Sequence, residues 1–291
     1  PDLVPFFSPV VGVPEGLNEN LAREILELHT VGVNGGYTQE DVTSFARIIT
    51  GWGVPPSEGG RVDRLRAMRQ GDLFYFNPDA KEPGAHAVMG KTYAEGGVEQ
   101  GDAVLRDLAA HDKTAEFIAT KLVRHFVADD PPEKAVRKIA SVFKESQGDL
   151  REVSIALVKL DENWNEPLSK MKRPEEYLIS AVRAAGGPEM TPLELGTTLR
   201  EMGQRTFFEP GPDGWPDVAD AWFGPDPLWK RLEWASNAAL KVASTQIDPA
   251  ELGQGVLGTA LSKATLETIR RAESPAQGLT LLLTSPEFHR R

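Results

Sequence analysis

The sequence predicts a mainly α, multi-helical globular protein with one small β-hairpin, and three observations carry that expectation. Apolar residues recur at three- and four-residue spacing from Gly101 almost to the C-terminus, the period of an amphipathic helix. Several of these segments open on a capping residue followed by proline, at Thr191-Pro192, Asp226-Pro227, Asp248-Pro249 and Ser274-Pro275, a common helix start. Only two short runs, Leu73–Phe76 and His86–Tyr93, have a strand-like composition.

Bulk composition narrows the function classes. With 291 residues, 40% apolar and 26% charged, the chain can bury a sizeable core and is not disordered as a whole. A net charge of −11 without a long block of one sign argues against nucleic-acid binding and against a polybasic membrane anchor. The absence of cysteine rules out disulfides, thiolate nucleophiles, Cys-ligated zinc and Cys-held iron–sulfur clusters. No apolar run has the length of a transmembrane segment; the longest lies around Leu279–Leu283. Starting at Pro1 rather than Met, the chain reads as a processed product or a fragment whose export signal would precede Pro1. Freedom from cysteine suits a periplasmic or secreted protein.

Taken in order, Pro1–Gly16 is rich in Pro, Val and Phe without a helical period and reads as an extended arm. The stretch around which the rest is organised runs from Leu17 to Trp52. At about 100° per residue, Leu17, Leu21, Ile25 and Leu28 form an apolar stripe widened by Ala22, Leu26 and His29, and Asn20, Glu24 and Glu27 form the opposite ridge. Glu19, Arg23 and Glu27 are spaced for local ion pairs along a helix. Asn34-Gly35-Gly36 lets the chain reverse, and Thr38-Gln39-Glu40-Asp41 reads as an N-capping box. The second helix then buries Val42, Phe45, Ala46 and Ile49, shows Glu40, Thr43 and Arg47 on its other face, and ends at Gly51. The two helices should pack with apolar faces inward and ionic groups meeting at the seam.

A surface loop is expected over Gly53–Gly71, followed by the hairpin near 73–93, its two runs separated by NPDAKEPGA. Helices are then expected over Gln100–Ala110, Lys113–Val127, Glu133–Glu145, Leu150–Leu160 and Pro174–Ala185. Further ones follow over Pro192–Met202, Pro227–Val242, Pro249–Gln254, Ser262–Ala272 and Pro275–Leu283. The Pro/Gly-rich segment Phe208–Pro216 separates a main lobe, 1–208, from a smaller helical lobe, 209–291, unless the two form one continuous domain.

The densest polar group comprises Asn20, Arg23, Glu24, Glu27 and Arg47. It suits a carboxylate pocket for a divalent cation or an acid–base pair, or else an ion-pair network that locks the two helices together. Glu24 and His29 stand roughly 140° apart on the wheel, so any metal site must combine elements. His29 and His125 are the candidate metal-binding or acid–base histidines; the alternative for each is a buried imidazole satisfied by a carbonyl or carboxylate. His111 reads as a cap neighbour, His289 as a solvated residue near the chain end, and His86 as a turn histidine. Trp215, Trp222, Trp229 and Trp234 would make either an aromatic carbohydrate platform or helix-packing anchors. No Gly-x-Ser-x-Gly elbow, Walker-type phosphate loop or dinucleotide fingerprint occurs.

The segment NENLAREILELHTVGVNGGYTQEDVTSFARIITGW at Asn18–Trp52 resembles the domain-of-unknown-function 1800 family (DUF1800) of bacterial proteins. The likeness continues in KLVRHFVADDPP at Lys121–Pro132, GDLREV at Gly148–Val153, MGQRTFFEPGPDGWPD at Met202–Asp217 and LLLTSPEF at Leu281–Phe288. One departure stands in the hairpin: where the family commonly has His-Asp/Glu-x-Gly, this chain has Lys81-Glu82-Pro83-Gly84 and then His86. A site needing that first histidine is not carried over. Members are usually longer at the N-terminus, so the resemblance implies that the arm from Pro1 is what remains of a larger first part. The resemblance implies a mostly helical fold, frequent export, and a partner of the domain-of-unknown-function 1501 family, whose genes often lie adjacent. It supplies no catalytic mechanism.

The expected function is therefore an exported binding or assembly protein acting with a partner chain. The alternative is a metal-assisted hydrolase or oxidase that uses the acid ridge with His29 or His125 and a divalent cation as cofactor.

Overall fold

The computed structural model describes residues 17–53, 74–165, 169–186, 190–242 and 247–291. The protein is mainly α, as its periodicity predicts. The expected arm at Pro1–Gly16 and most of the loop expected after Gly53 lie outside the described residues. The chain divides into two compact units, Pro1–Ala119 with Arg137–Ser154, and Thr120–Val136 with Ile155–Arg291. The segment Phe208–Pro216 lies inside the second of them.

In the first unit, α1 (Asn20–Glu24) runs without a break into a π-helical turn at Ile25–His29. A regular wheel therefore fails for the second half of the expected helix, because the π turn adds about one residue per turn. Thr30 ends it, its Oγ1 donating to the Ile25 carbonyl at 2.7 Å. The chain reverses through Gly32 and Gly36, both with positive φ (81° and 86°). At Gly32 a Cβ would stand 2.6 Å from the Phe117 ring, so glycine is needed there for space as well.

Helix α2 (Gln39–Ile48) starts with the expected capping box: Thr38 accepts from the Asp41 amide and Asp41 accepts from the Thr38 amide. Its buried residues Val42, Phe45, Ala46 and Ile48 join Ala22, Leu26 and Val31 in one core. Two helices with their greasy faces together is what the spacing required, and each large side chain so buried contributes roughly 1.5–3 kcal/mol.

The β structure differs from the expected single hairpin. β1 (Trp52–Gly53) pairs antiparallel with β2 (Tyr75–Phe76), and β3 (His86–Val88) pairs with β4 (Lys91–Tyr93). The hairpin is thus confined to 86–93 and turns on Met89 and Gly90, both at positive φ (48° and 79°), the geometry that matches strand twist. The run ending at Phe76 finds its partner in Trp52–Gly53 instead. β3 lies against α2, and α3 (Val98–Ala110) adds Val104 and Leu108 to the core. The division between units runs through α4 (Asp112–Phe126), α5 (Glu133–Glu145) and α6 (Leu150–Val158).

The second unit continues with α7 (Glu162–Asn165), α8 (Pro174–Ala185), α9 (Pro192–Glu201), α10 (Pro225–Val242), α11 (Pro249–Leu257), α12 (Lys263–Arg270) and α13 (Pro275–Leu283). Thr191, Asp248 and Ser274 cap α9, α11 and α13 as expected. α10 begins two residues earlier than expected, at Pro225. Asp226 is consequently a first-turn acid rather than the cap, where its charge still suits the positive helix end.

Helix α13 packs on α10, α11 and α12. Alanines at 181, 185, 235 and 239 line the core with Tyr177, Leu279, Leu282 and Phe288, and their small side chains let the helix backbones approach. The C-terminus is fastened by an antiparallel bridge between Met171 and Arg290 and by reciprocal backbone bonds between Lys170 and Arg291.

Candidate functional site

Two of the sequence-predicted residues, Arg23 and Glu27, join in one network on the first helical segment, and Arg23 is the hub. Its guanidinium donates to Gln39 Oε1 at 2.7 Å and lies 3.4 Å from Glu19 and 3.6 Å from Glu27. Glu19 accepts from Gln39 Nε2 and from Thr43 Oγ1, both at 2.6 Å. These hydrogen bonds, Thr43 first and Gln39 next, hold its carboxyl below the ordinary range. Glu27 accepts from the Tyr37 hydroxyl at 2.8 Å; burial, with Glu27 beside it, pushes that phenol up to about 12. Each carboxylate of this group is already engaged by donors of α2 or of the turn before it.

The remaining predicted residues stand apart from that network. Asn20 is exposed and its amide bonds only the Asn18 side chain. Glu24 is half-buried, with no ion pair among the described residues. Arg47 instead faces Glu82, Nε to Oε1 3.3 Å, in the segment that leads into β3. His29 is exposed, because the π turn rotates it off the apolar flank where a regular helix would put it. His86 is half-buried; burial pushes its pKa down and its Nε2 is enclosed with no partner among the described residues. His111 acts as the expected cap neighbour, Nδ1 accepting from the Lys113 amide at 3.1 Å.

The second unit holds a more connected polar system. His125, in the last turn of α4, has Nδ1 2.7 Å from Asp217 Oδ1. The Asp217 carbonyl accepts from Lys170 Nζ at 2.5 Å, and Lys170, whose side chain is 3% exposed, also pairs with the Asp129 carboxylate. The other oxygen of Asp129 accepts from the Ala219 amide at 2.7 Å. Burial works to raise Asp129, but Lys170 and the Ala219 amide outweigh it and leave the carboxyl below its ordinary value. Arg291 Nη2 donates to the His125 carbonyl at 2.9 Å, and its Nε faces Glu176 at 3.2 Å.

Beside the C-terminus lies a buried cationic and aromatic group. Arg231 is fully buried, its guanidinium 5.0 Å from the Tyr177 ring and 4.6 Å from the Phe223 ring. Its edge donates to the Lys172 carbonyl at 2.9 Å and approaches His289 Nδ1 at 3.4 Å. With no carboxylate paired to it among the described residues, burial pulls the guanidinium down to about 10. Burial likewise takes Lys172 to about 8 and, together with those two cations, His289 to about 3. His289 is therefore the reverse of the solvated residue expected from its place near the chain end. Two aromatic faces on the guanidinium offset part of its desolvation.

Of the tryptophans, Trp215 and Trp222 meet at 5.7 Å, Trp222 is buried, and Trp234 lies edge-on to Tyr177 at 6.0 Å. They serve as packing anchors, and Trp229 alone of the four is strongly exposed, at 64%. Among the described residues no three His, Asp or Glu side chains gather as a metal site would require. None of their helices is long and apolar enough to cross a membrane.

Sequence reasoning missed Asp217, Asp129 and Lys170. The partner of His125 lies 92 residues away, beyond any spacing rule. A usable signal existed all the same, for KLVRHFVADDPP and MGQRTFFEPGPDGWPD supply His125, Asp129 and Asp217.

Fold and site together define a mainly helical protein whose internal charges are bound into side-chain networks. Residues 7–290 match DUF1800, described as a protein of unknown function, and the chain belongs to that family. No curated protein and no solved structure matches it significantly.

Proposed function

We propose that this chain is an exported binding or assembly protein that acts with a partner chain, with a protein of the domain-of-unknown-function 1501 family as the first candidate. The observation that carries the reading is the outer face of α10. Trp229, Leu232 and Leu240, spaced to share one helix face, are all exposed, Trp229 and Leu240 at 64% and 67%. Phe207 and Phe208 are exposed as well, and Phe207 sits at a φ of 60°, a conformation that costs an aromatic residue roughly 1–3 kcal/mol. An apolar face shared along one exposed helix supports a contact surface, where single scattered side chains would not.

The polar group around Arg23 supports the same reading, because Glu19 and Glu27 already have donors. The hydrolytic alternative keeps a single support, the His125–Asp217 pair. Co-expression of the tagged chain with the candidate partner tests the proposal: a complex of defined stoichiometry by light scattering is expected, weakened at least tenfold by Trp229→Asp. A chain that stays monomeric and binds no such partner would refute it.

A further inference from the structure

The contact between His125 and Asp217 fixes a tautomer as well as a position. A carboxylate only accepts hydrogen bonds, so the Oδ1 atom 2.7 Å from Nδ1 places the proton on Nδ1 and the lone pair of the neutral ring on Nε2. That Nε2 makes no hydrogen bond among the described residues, and it is not an enclosed orphan like the Nε2 of His86. The side chain is 27% exposed, against 18% for Asp217. The accepting nitrogen thus reaches solvent while its carboxylate is better shielded.

The pair is also held from several sides. Lys170 grips the Asp217 carbonyl, Asp129 grips the amide of Ala219 two residues on, and Lys170 joins the two grips. Arg291 bonds the His125 carbonyl, and the Phe126 ring lies edge-on at 4.6 Å. A base whose own support is this rigid has the orientation that proton transfer needs. Phe126 is 53% exposed and offers an apolar surface beside the imidazole.

We propose that His125 and Asp217 form a general-base dyad that activates water against carboxylic esters with an apolar acyl group. Nε2 takes a proton from water as the water oxygen bonds to the acyl carbon. Asp217 stays ionised and stabilises the imidazolium. Collapse of the tetrahedral intermediate breaks the bond to the leaving oxygen, and the proton on Nε2 passes to that alkoxide. Acid and alcohol leave, neutral His125 is restored, and no oxidant or second reactant is consumed. An imidazole base suits an acyl carbon, whereas glycosides are usually opened by paired carboxylates. This activity goes beyond the partner reading and would survive its failure.

Hydrolysis of p-nitrophenyl butyrate by the full chain tests the dyad. The rate should exceed that of buffer. His125→Gln and Asp217→Asn should each lower kcat by ~10²-fold or more with KM unchanged, and the combined His29→Gln and His111→Gln variant should keep the wild-type rate. A rate no faster than buffer overturns the proposal, as does one that survives His125→Gln or is lost with His29 and His111. Nitrogen–proton correlation NMR of the unmutated protein gives a readout free of variant folding. It should show neutral His125 protonated on Nδ1; protonation on Nε2 overturns the dyad.

Discussion

His289 lies stacked on Tyr177, the ring centroids 5.1 Å apart and the planes 28° from parallel. The edge of Phe223 closes another side at 5.4 Å, and Arg231 stands 3.4 Å from Nδ1. An imidazole so enclosed, with a cation against it, can only be neutral near physiological pH.

A pH dependence of stability follows from that stack. His289 titrates at about 3 in the folded chain, against 6.5 for the free group. Between those values the unfolded chain binds a proton that the folded chain does not, so stability is full above 6.5 and is lost as pH falls toward 3. Lys172, at about 8 against 10.5, has the same sign, and stability should rise again as pH climbs through that window. Urea midpoints should fall from pH 6.5 to pH 5, where few carboxylates yet titrate, and His289→Phe should flatten that fall. Equal slopes for the two proteins would show that His289 is not buried as a neutral ring.

Arg231 invites a comparison of two substitutions. The ammonium of Arg231→Lys would be as buried and as uncompensated, but without the planar fork that reaches His289 and the Lys172 carbonyl, and it is the more strongly hydrated cation. Arg231→Met leaves those two acceptors unserved, a loss of about 1–3 kcal/mol, yet removes the desolvated charge altogether. Denaturant titration should therefore rank Arg231→Lys as the less stable variant. Arg231→Met should also raise the pKa of His289, since one of the cations depressing it is gone. Greater stability for the lysine variant would mean that the guanidinium is not desolvated.

The helices were largely legible in the sequence, and the reasons are local. Glu133–Glu145, Pro174–Ala185 and Pro275–Leu283 fall on the expected residues, where a sustained apolar period meets a cap, a proline or a glycine. What escaped was set by distant contacts. Tyr75–Phe76 looks like half of a local hairpin, but it pairs with Trp52–Gly53, more than twenty residues earlier in the chain. The π turn at Ile25–His29 exposes His29 in spite of an apolar periodicity that assumed a regular helix. His289 looked solvated because it is two residues from the end; the bridge from Met171 to Arg290 draws that end inward. In the candidate site, the ridge around Arg23 was readable from i,i+4 spacing. Arg47 was misplaced with it because only the fold reveals Glu82 as its partner.

Asp41 joins the capping of α2 to the β3–β4 hairpin. One oxygen accepts from the Thr38 amide at 2.7 Å and its hydroxyl at 2.8 Å, and the other accepts from the Met89 amide at 2.6 Å. Burial works to raise its pKa, but these bonds together outweigh it and hold the carboxyl below its ordinary value. Asp41→Ala should cost about 1–2 kcal/mol, since the exposed Thr38 donors and the half-buried Met89 amide lose their acceptor. The ionised form is the one favoured by folding, so this stability is present above the unfolded carboxylate range and is lost as pH falls through the folded value. Hydrogen exchange should report the loss at the Met89 amide as well as in the first turn of α2; unchanged protection at Met89 would show that the bridge does not hold the hairpin.

Two glycines in helices should respond oppositely to the same substitution, because packing decides where propensity alone cannot. Glycine inside a helix costs about 1 kcal/mol relative to alanine, which would make either replacement stabilising. At Gly196, in α9, an added Cβ meets nothing within 4 Å, so Gly196→Ala should gain most of that amount. At Gly101, in α3, the Cβ would fall 2.3 Å from Trp52 Cζ2 and 2.9 Å from Cη2. Trp52 cannot simply swing aside, for its ring meets the edge of Phe74 at 5.4 Å and its indole nitrogen is buried. Overpacking of this kind costs ~1–3 kcal/mol, enough to outweigh the propensity gain. Gly101→Ala should lower the Tm while Gly196→Ala raises it. A rise for both would mean that the Trp52 ring does not pack on α3 as tightly as these distances require.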